Sequence, residues 1–173
     1  MTTPQVTHLL SLLTVAGQVF TIVILLSVLL KIKSRLLGFL WRNALKTCFV
    51  VALTATLGSL YFSEVAGFEP CKLCWYQRIL MYPQVLLYGL ALWKKEKHIV
   101  PYGLLLSAVG AVIAGYHYLL QIGVVPSLVC DAVGYSVSCS QRFVMTFGYI
   151  TIPMMALSAF LVIIALLMTI RKK

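Results

Sequence analysis

Five long apolar stretches, joined by short polar segments, leave this chain little choice of surroundings. They run at about Leu9–Leu30, Ala44–Phe62, Cys74–Trp93, Val100–Gln121 and Thr146–Ile170. Each approaches the roughly 20 apolar residues that carry a helix across the hydrocarbon of a bilayer. Composition agrees: 61% of the residues are hydrophobic and only 10% are charged, against about half and about a quarter in soluble domains. In lipid an open sheet leaves its backbone polar groups unsatisfied, so the spans are expected to be helices. The expected fold class is therefore all-α, a polytopic membrane protein. With 173 residues, the connections are too short for a separate soluble domain. No internal repeat or low-complexity segment interrupts the pattern.

The net charge of +10 does not mark a nucleic-acid surface, because of where the charges lie. Eleven of the fourteen basic residues form three patches. They are Lys31, Lys33, Arg35, Arg42 and Lys46; Lys94, Lys95 and Lys97; and Arg171, Lys172 and Lys173. Each patch flanks an apolar stretch, which is the orientation signal of a multi-span protein, with added attraction to anionic lipid. Loops 31–43 and 94–99 and the C-terminus are expected inside. The N-terminus and loops 63–73 and 122–145 are expected outside, giving five spans, N-out and C-in. The first stretch does not read as a cleaved signal peptide. It lacks a basic start and an Ala-x-Ala site, and basic residues follow it.

Four of the five cysteines then fall on the outer side, as Cys71 with Cys74 and Cys130 with Cys139. Disulfides persist outside the cytoplasm and rarely inside it. Cys48 falls in the inner half of the second span and reads as a small buried apolar residue. Pro70 suits a first helical turn, so Cys71 and Cys74 should open a helix. Cys71, Cys74 and Arg78 are spaced i, i+3, i+7 and share one face. A sulfur at a helix N-terminus is favoured as thiolate, the reactive form. Arg78 lies one turn deeper, where a cation in lipid is costly and usually functional. It suits a thiolate, or a negative oxygen held over the sulfurs. The plainer alternative is a static disulfide beside an arginine that snorkels to the headgroups.

Cys130 and Cys139 lie in a loop rich in Val, Ser, Gly and Tyr, expected to be flexible and exposed. Exposed disulfides are the labile ones, although a loop staple remains an alternative. The loop begins with the apolar run 122–129, suited to the membrane surface. Four thiolates could instead bind zinc, but the second pair lacks the ribbon spacing. His117 stands between Tyr116 and Tyr118 at the outer interface, either as a cofactor contact or as belt packing. A lipid-soluble electron acceptor would fit with its head near Cys74, Arg78 and His117. Trp75, Tyr76, Gln77 and Tyr82 are candidate walls.

The run Cys71-Lys72-Leu73-Cys74-Trp75-Tyr76-Gln77-Arg78 resembles the Cys-x-Leu-Cys-x-x-x-Arg signature of the DsbB family, including its BdbC branch. An acidic outer loop before the signature, a basic hairpin after it, the later cysteine pair and Thr151-Ile152-Pro153 before the last span agree with the resemblance. It covers about residues 36–173. It implies a four-helix transmembrane bundle that oxidises a thioredoxin-fold extracytoplasmic thiol oxidase (DsbA/BdbD-like) and reduces a membrane quinone, menaquinone or ubiquinone. By that resemblance the disulfides are Cys71–Cys74 and Cys130–Cys139. The loop pair takes electrons from the partner, the Cys71–Cys74 pair re-oxidises it and reduces quinone, and Arg78 takes the family's quinone-associated arginine position. The implied location is the bacterial cytoplasmic membrane, with the cysteines on the extracytoplasmic face. Residues 1–35, an additional span and turn, depart from the four-helix pattern. One rival is a quinone reductase of the vitamin K epoxide reductase type, in which the loop pair usually precedes the Cys-x-x-Cys. A second is a metal-binding or transport component that uses the thiolates as ligands.

Overall fold

The computed structural model describes residues 3–30, 35–96, 98–125 and 138–171. Five helices follow in chain order: α1 Thr3–Leu29, α2 Arg35–Leu60, α3 Lys72–Lys94, α4 Val100–Gln121 and α5 Ile152–Arg171. A single π turn, Tyr61–Val65, extends α2. Among the described residues the extended structure is limited to one Thr146–Ile150 bridge. The chain is thus an all-helical polytopic bundle. Among the described residues, four helices are long and apolar enough to cross a membrane: those at Thr3–Val28, Arg42–Val65, Val100–Gln121 and Ile152–Ile170.

The expected third span, α3, matches the others in length at 23 residues but is less apolar. Its polar residues explain the difference. Gln77 and Gln84 are buried, so its polarity is directed into the bundle, where α3 packs against α2 and α4. In lipid such groups need partners inside the protein. Gln84 Oε1 accepts from Tyr88 Oη at 2.7 Å and from Ser107 Oγ at 2.9 Å. Its Nε2 donates to the Leu80 carbonyl at 2.9 Å.

Helix α5 is the central element. It packs against α1, α2 and α4, and its Phe160, Val162, Ile163, Ala165, Leu166 and Leu167 are all buried. A helix apolar all round has no face that prefers solvent, so it can sit in the middle. Opposite it, α4 buries Gly103, Ser107, Gly110 and Ala114. These small residues recur every three or four positions and let the two backbones approach. Cys48 is fully buried among this core, as expected for an apolar filler.

The helix ends correct the boundaries. Helix α2 starts at Arg35, well before Ala44, so most of the expected inner loop is helix. Basic residues do not stop a helix, and its 26 residues exceed what the hydrocarbon needs. Helix α5 starts at Ile152 rather than Thr146. Residues 146–150 fold into a tight turn in which Phe147 has φ 53° and Gly148 φ 77°. The last turn of α3 carries Lys94, favourable against the helix dipole, and Lys95 ends the helix in a left-handed conformation. Pro101 lies in the first turn of α4, where its missing N–H is no loss. Lys31, Lys33, Lys97, Lys172 and Lys173 lie outside the described residues.

The α4–α5 contact gives a direct test. A Cβ on Gly110 would overlap the Phe160 ring, whereas one on Gly115 would meet nothing within 4 Å. Gly110→Val is expected to destabilise the protein by about 1–3 kcal/mol, the usual range for overpacking. Gly115→Ala should leave the thermal midpoint in detergent unchanged or slightly raised.

Candidate functional site: a buried dithiol beside an imidazole

Pro70 lies just outside α3, and Cys71 is the residue before its first turn. The Cys71 backbone is extended, with φ −69° and ψ 171°, and its carbonyl accepts from the Trp75 N–H at 3.1 Å. Cys74 lies one turn on. The shared face read from the spacing brings Cys71 Sγ and Cys74 Sγ to 3.3 Å. Both are free thiols, near enough to close a disulfide with a small shift. Cys71 is buried and Cys74 half-buried.

His117 of α4 is 1% exposed and sits against this pair. Its Nε2 is 3.6 Å from Cys71 Sγ and 3.1 Å from the Cys139 carbonyl oxygen. Its Nδ1 is 3.0 Å from Gln77 Nε2. An amide nitrogen only donates, so Nδ1 accepts and the neutral ring carries its proton on Nε2. That proton points at Cys71 and the Cys139 carbonyl. The hydrogen bond from Cys74 holds the Cys71 thiol below its ordinary range, burial opposes it, and His117 adds to the lowering. A thiolate at this position was expected from the helix N-terminus; the neighbouring thiol and imidazole are the stronger cause.

Arg78 is anchored by Ser59 of α2. Nε donates to Ser59 Oγ and Nη2 to the Ser59 carbonyl, both at 3.0 Å. Tyr82 Oη also donates to Ser59 Oγ, at 3.2 Å. The guanidinium lies 5.4 Å from the centre of the Trp75 ring, a cation–π distance. Of the candidate walls, Gln77 and Tyr82 line the site. Trp75 and Tyr76 are 54% and 47% exposed and form part of the outer surface.

The second cysteine pair is described at one member. Cys130 lies outside the described residues. Cys139 is disulfide-bonded, and at 1% exposure it is not the exposed loop residue expected. It packs in one buried cluster with Cys71, Leu73 and Leu120. The segment after it is tied to the end of α4. Gln121 Nε2 donates to the Gln141 carbonyl at 3.0 Å, and Arg142 Nε to the Gln121 carbonyl at 2.7 Å. Phe143 stacks on Phe68 at 5.0 Å, and Phe68 on Phe62 at 5.9 Å. Small polar residues near Cys139 suggested exposure; contacts with residues distant in sequence bury it instead.

Cys71, Cys74, Arg78, His117 and Cys139 all line one cavity of about 520 Å³. Sequence reasoning missed Ser59, which carries no motif. The stripe Gly103, Ser107, Gly110, Ala114 would have assigned His117 to the buried face of α4, because His117 continues it at helical spacing. The ligand atoms of Cys71, Cys74 and His117 also lie within 4.8 Å of one another, a donor set that could hold a soft divalent cation.

A dithiol at a helix mouth, a buried imidazole and a second disulfide, all set in a membrane bundle, define a membrane thiol–disulfide oxidoreductase site. Residues 41–170 match the family described as Disulfide bond formation protein DsbB. The chain is 48% identical over 120 residues to Probable disulfide formation protein C 1 of Bacillus anthracis, covering 69% of this chain and 86% of the relative. It is 47% identical over 121 residues to Disulfide bond formation protein C of Bacillus subtilis, covering 67% and 83%. It is 36% identical over 136 residues to Probable disulfide formation protein of Metapseudomonas resinovorans, covering 79% and 94%. No solved structure gives a significant match. The chain belongs to the DsbB family, as a BdbC-like member, and is a multi-pass bacterial membrane protein of the disulfide-forming machinery.

The lowered acidity range of Cys71 predicts its reactivity. In the reduced protein, Cys71 should be alkylated by iodoacetamide at a rate that stays near its plateau as pH falls below the ordinary thiol value of about 8.5. His117→Ala should move the inflection upward. A Cys71 profile with its inflection at or above the ordinary value would contradict the geometry.

Proposed function

We propose that this protein re-oxidises an extracytoplasmic thioredoxin-fold thiol oxidase, DsbA/BdbD-like, and passes the electrons to a membrane quinone. The carrying observation is the single cavity onto which Cys71, Cys74, Arg78, His117 and Cys139 all open. Its donors fit a quinone head. The Arg78 guanidinium carries N–H groups suited to a ring oxygen, and the dithiol and His117 lie beside it. Pockets for flat apolar ligands combine apolar walls with a few fixed polar groups in this way. When bound, a quinone, menaquinone or ubiquinone, would accept two electrons and two protons and leave as quinol.

The relay runs through thiol–disulfide exchange. A partner thiolate attacks the proposed Cys130–Cys139 disulfide, forming a mixed disulfide and freeing one loop thiolate. The second partner thiol then displaces the loop cysteine, and the partner leaves oxidised. Cys130 and Cys139 now hold two electrons. One of them attacks the Cys71–Cys74 disulfide, the other closes the loop disulfide again, and Cys71 and Cys74 become the dithiol. His117 bridges the two centres, Gln77 keeps its proton on Nε2, and Ser59 steadies Arg78.

The basic patches support a bundle with its cysteines on the extracytoplasmic face of the cytoplasmic membrane. Residues 36–173 form the four-helix redox unit in this reading, and residues 1–35 an appended span. A metal-holding role for Cys71, Cys74 and His117 is the competing reading, favoured by their mutual proximity. Elemental analysis separates them, since stoichiometric zinc without quinone reduction would favour the metal.

Purified protein given a reduced thioredoxin-fold partner and a short-chain quinone should lose quinone in step with partner oxidation. Cys71→Ser and Cys74→Ser should abolish turnover. Arg78→Ala should raise the apparent KM for quinone about tenfold, equivalent to about 1.4 kcal/mol. Normal turnover in Cys74→Ser would sink the relay.

A further inference from the structure

A dithiol needs only its two sulfurs to exchange electrons. Here a third donor atom meets them. Cys71 Sγ lies 3.3 Å from Cys74 Sγ and 3.6 Å from His117 Nε2, and the three atoms all fall within 4.8 Å of one another. Zinc binds thiolate at about 2.3 Å and imidazole nitrogen at about 2.0–2.1 Å, in a tetrahedron. Those bonds set two sulfurs about 3.8 Å apart, and a sulfur and a nitrogen about 3.5 Å apart. The observed 3.3 and 3.6 Å lie within a small side-chain adjustment of both. Thiolates beside an imidazole select soft cations over calcium or magnesium.

The three donors are held before any ion arrives. Cys71 immediately precedes α3 and Cys74 lies in its first turn, so one turn of helix carries both sulfurs. His117 belongs to α4, which packs against α3. Cys71 and His117 are buried, so little side-chain freedom is left for binding to remove. Cys74 is half-buried and lines the cavity, which gives an ion its way in.

His117 also has the neighbour that a metal-bound imidazole needs. Such a ring keeps its proton on the nitrogen away from the metal and donates it to an acceptor. Gln77 stands 3.0 Å from Nδ1. Its amide presents nitrogen there, and a half-turn presents Oε1, which accepts from an Nδ1–H. With the proton on Nδ1, the Nε2 lone pair faces the sulfurs. The Cys139 carbonyl oxygen, 3.1 Å from Nε2, or a water from the cavity can complete the tetrahedron. Oxidation abolishes the site, because the metal ligand is thiolate and a disulfide has none.

We propose that the reduced protein binds one soft divalent cation of the zinc class through Cys71 Sγ, Cys74 Sγ and His117 Nε2, and that closing the Cys71–Cys74 disulfide expels it. Metal holding and electron transfer are then two states of one dithiol, and the cation is a brake on the relay at its reduced stage. Binding displaces the two thiol protons. Re-oxidation forms the S–S bond, passes two electrons to the quinone with two protons taken from water, and frees the cation. The brake rests on the quinone reading above; the metal site rests on the three donors alone.

The test uses the full-length protein in detergent, reduced with a phosphine and freed of reductant without oxygen, with Zn2+ as the probe. Reduced protein should take up one Zn2+ per chain, and protein oxidised at Cys71–Cys74 none. Zinc-edge X-ray absorption of the unsubstituted protein should show two sulfurs and at least one imidazole. Zn2+ should slow iodoacetamide labelling of Cys71 and Cys74 at least tenfold, and EDTA should restore it. The double variant Cys130→Ser, Cys139→Ser should bind Zn2+ as tightly, and His117→Ala at least tenfold more weakly. Equal uptake by oxidised and reduced protein, a shell of four sulfurs, or unprotected Cys71 would overturn the site. In a single turnover, Zn2+ should slow re-oxidation of the reduced pair by a tailless benzoquinone at least tenfold. Equal rates with and without Zn2+ would overturn the brake and leave the quinone reading standing. Protection by Zn2+ in a protein whose metal-free form reduces no quinone would support the metal site and overturn the quinone reading.

Discussion

His117 is the junction on which the site depends. It is a buried ring in a lipid-embedded bundle, and both its nitrogens must be satisfied from within the protein. Gln77 of α3 meets one of them; Cys71 and the Cys139 carbonyl meet the other. Three segments far apart in sequence are thereby held to one imidazole. The dithiol cannot drift from the loop cysteine without leaving a buried donor or acceptor unpaired, at about 1–3 kcal/mol. The same contacts keep the proton on the nitrogen that faces sulfur, and so link the holding of the site to its chemistry.

The bundle around this junction follows one rule, that polar atoms turn inward and find partners. Gln84, Tyr88 and Ser107 close a small network between α3 and α4. Ser59 on α2 takes two hydrogen bonds from Arg78. Lipid contributes little attraction between helices, so α4 and α5 are joined by fit, with small residues facing Phe160 and its neighbours. This packing sets the depth and rotation of α4, and through them the position of His117.

Polarity is distributed unevenly along the cavity. Sulfur, imidazole and guanidinium crowd one end, and the walls beyond are mainly apolar, with Thr14, Thr47, Thr54 and Ser158 among them. The additional helix borders the apolar part, and among the described residues its contacts run along α5, to Gly58 and to the turn at Phe147 and Tyr149.

Much of this was legible in the residue order. Helical spans followed from the length of the apolar runs, because a backbone in lipid has few other ways to satisfy itself. The common face of Cys71, Cys74 and Arg78 followed from helical periodicity, which acts over neighbouring residues. The start of α5 was misplaced because the turn at Phe147 and Gly148 is apolar and gives no break in hydropathy. The burial of Cys139, the Ser59 anchor, the division of the aromatic walls and the share of α1 in the cavity wall were settled by tertiary structure. Each depends on which helix faces which, and at what rotation. Local sequence fixes a helix and its apolar or polar faces, whereas the neighbour each face meets is chosen by packing across dozens of residues.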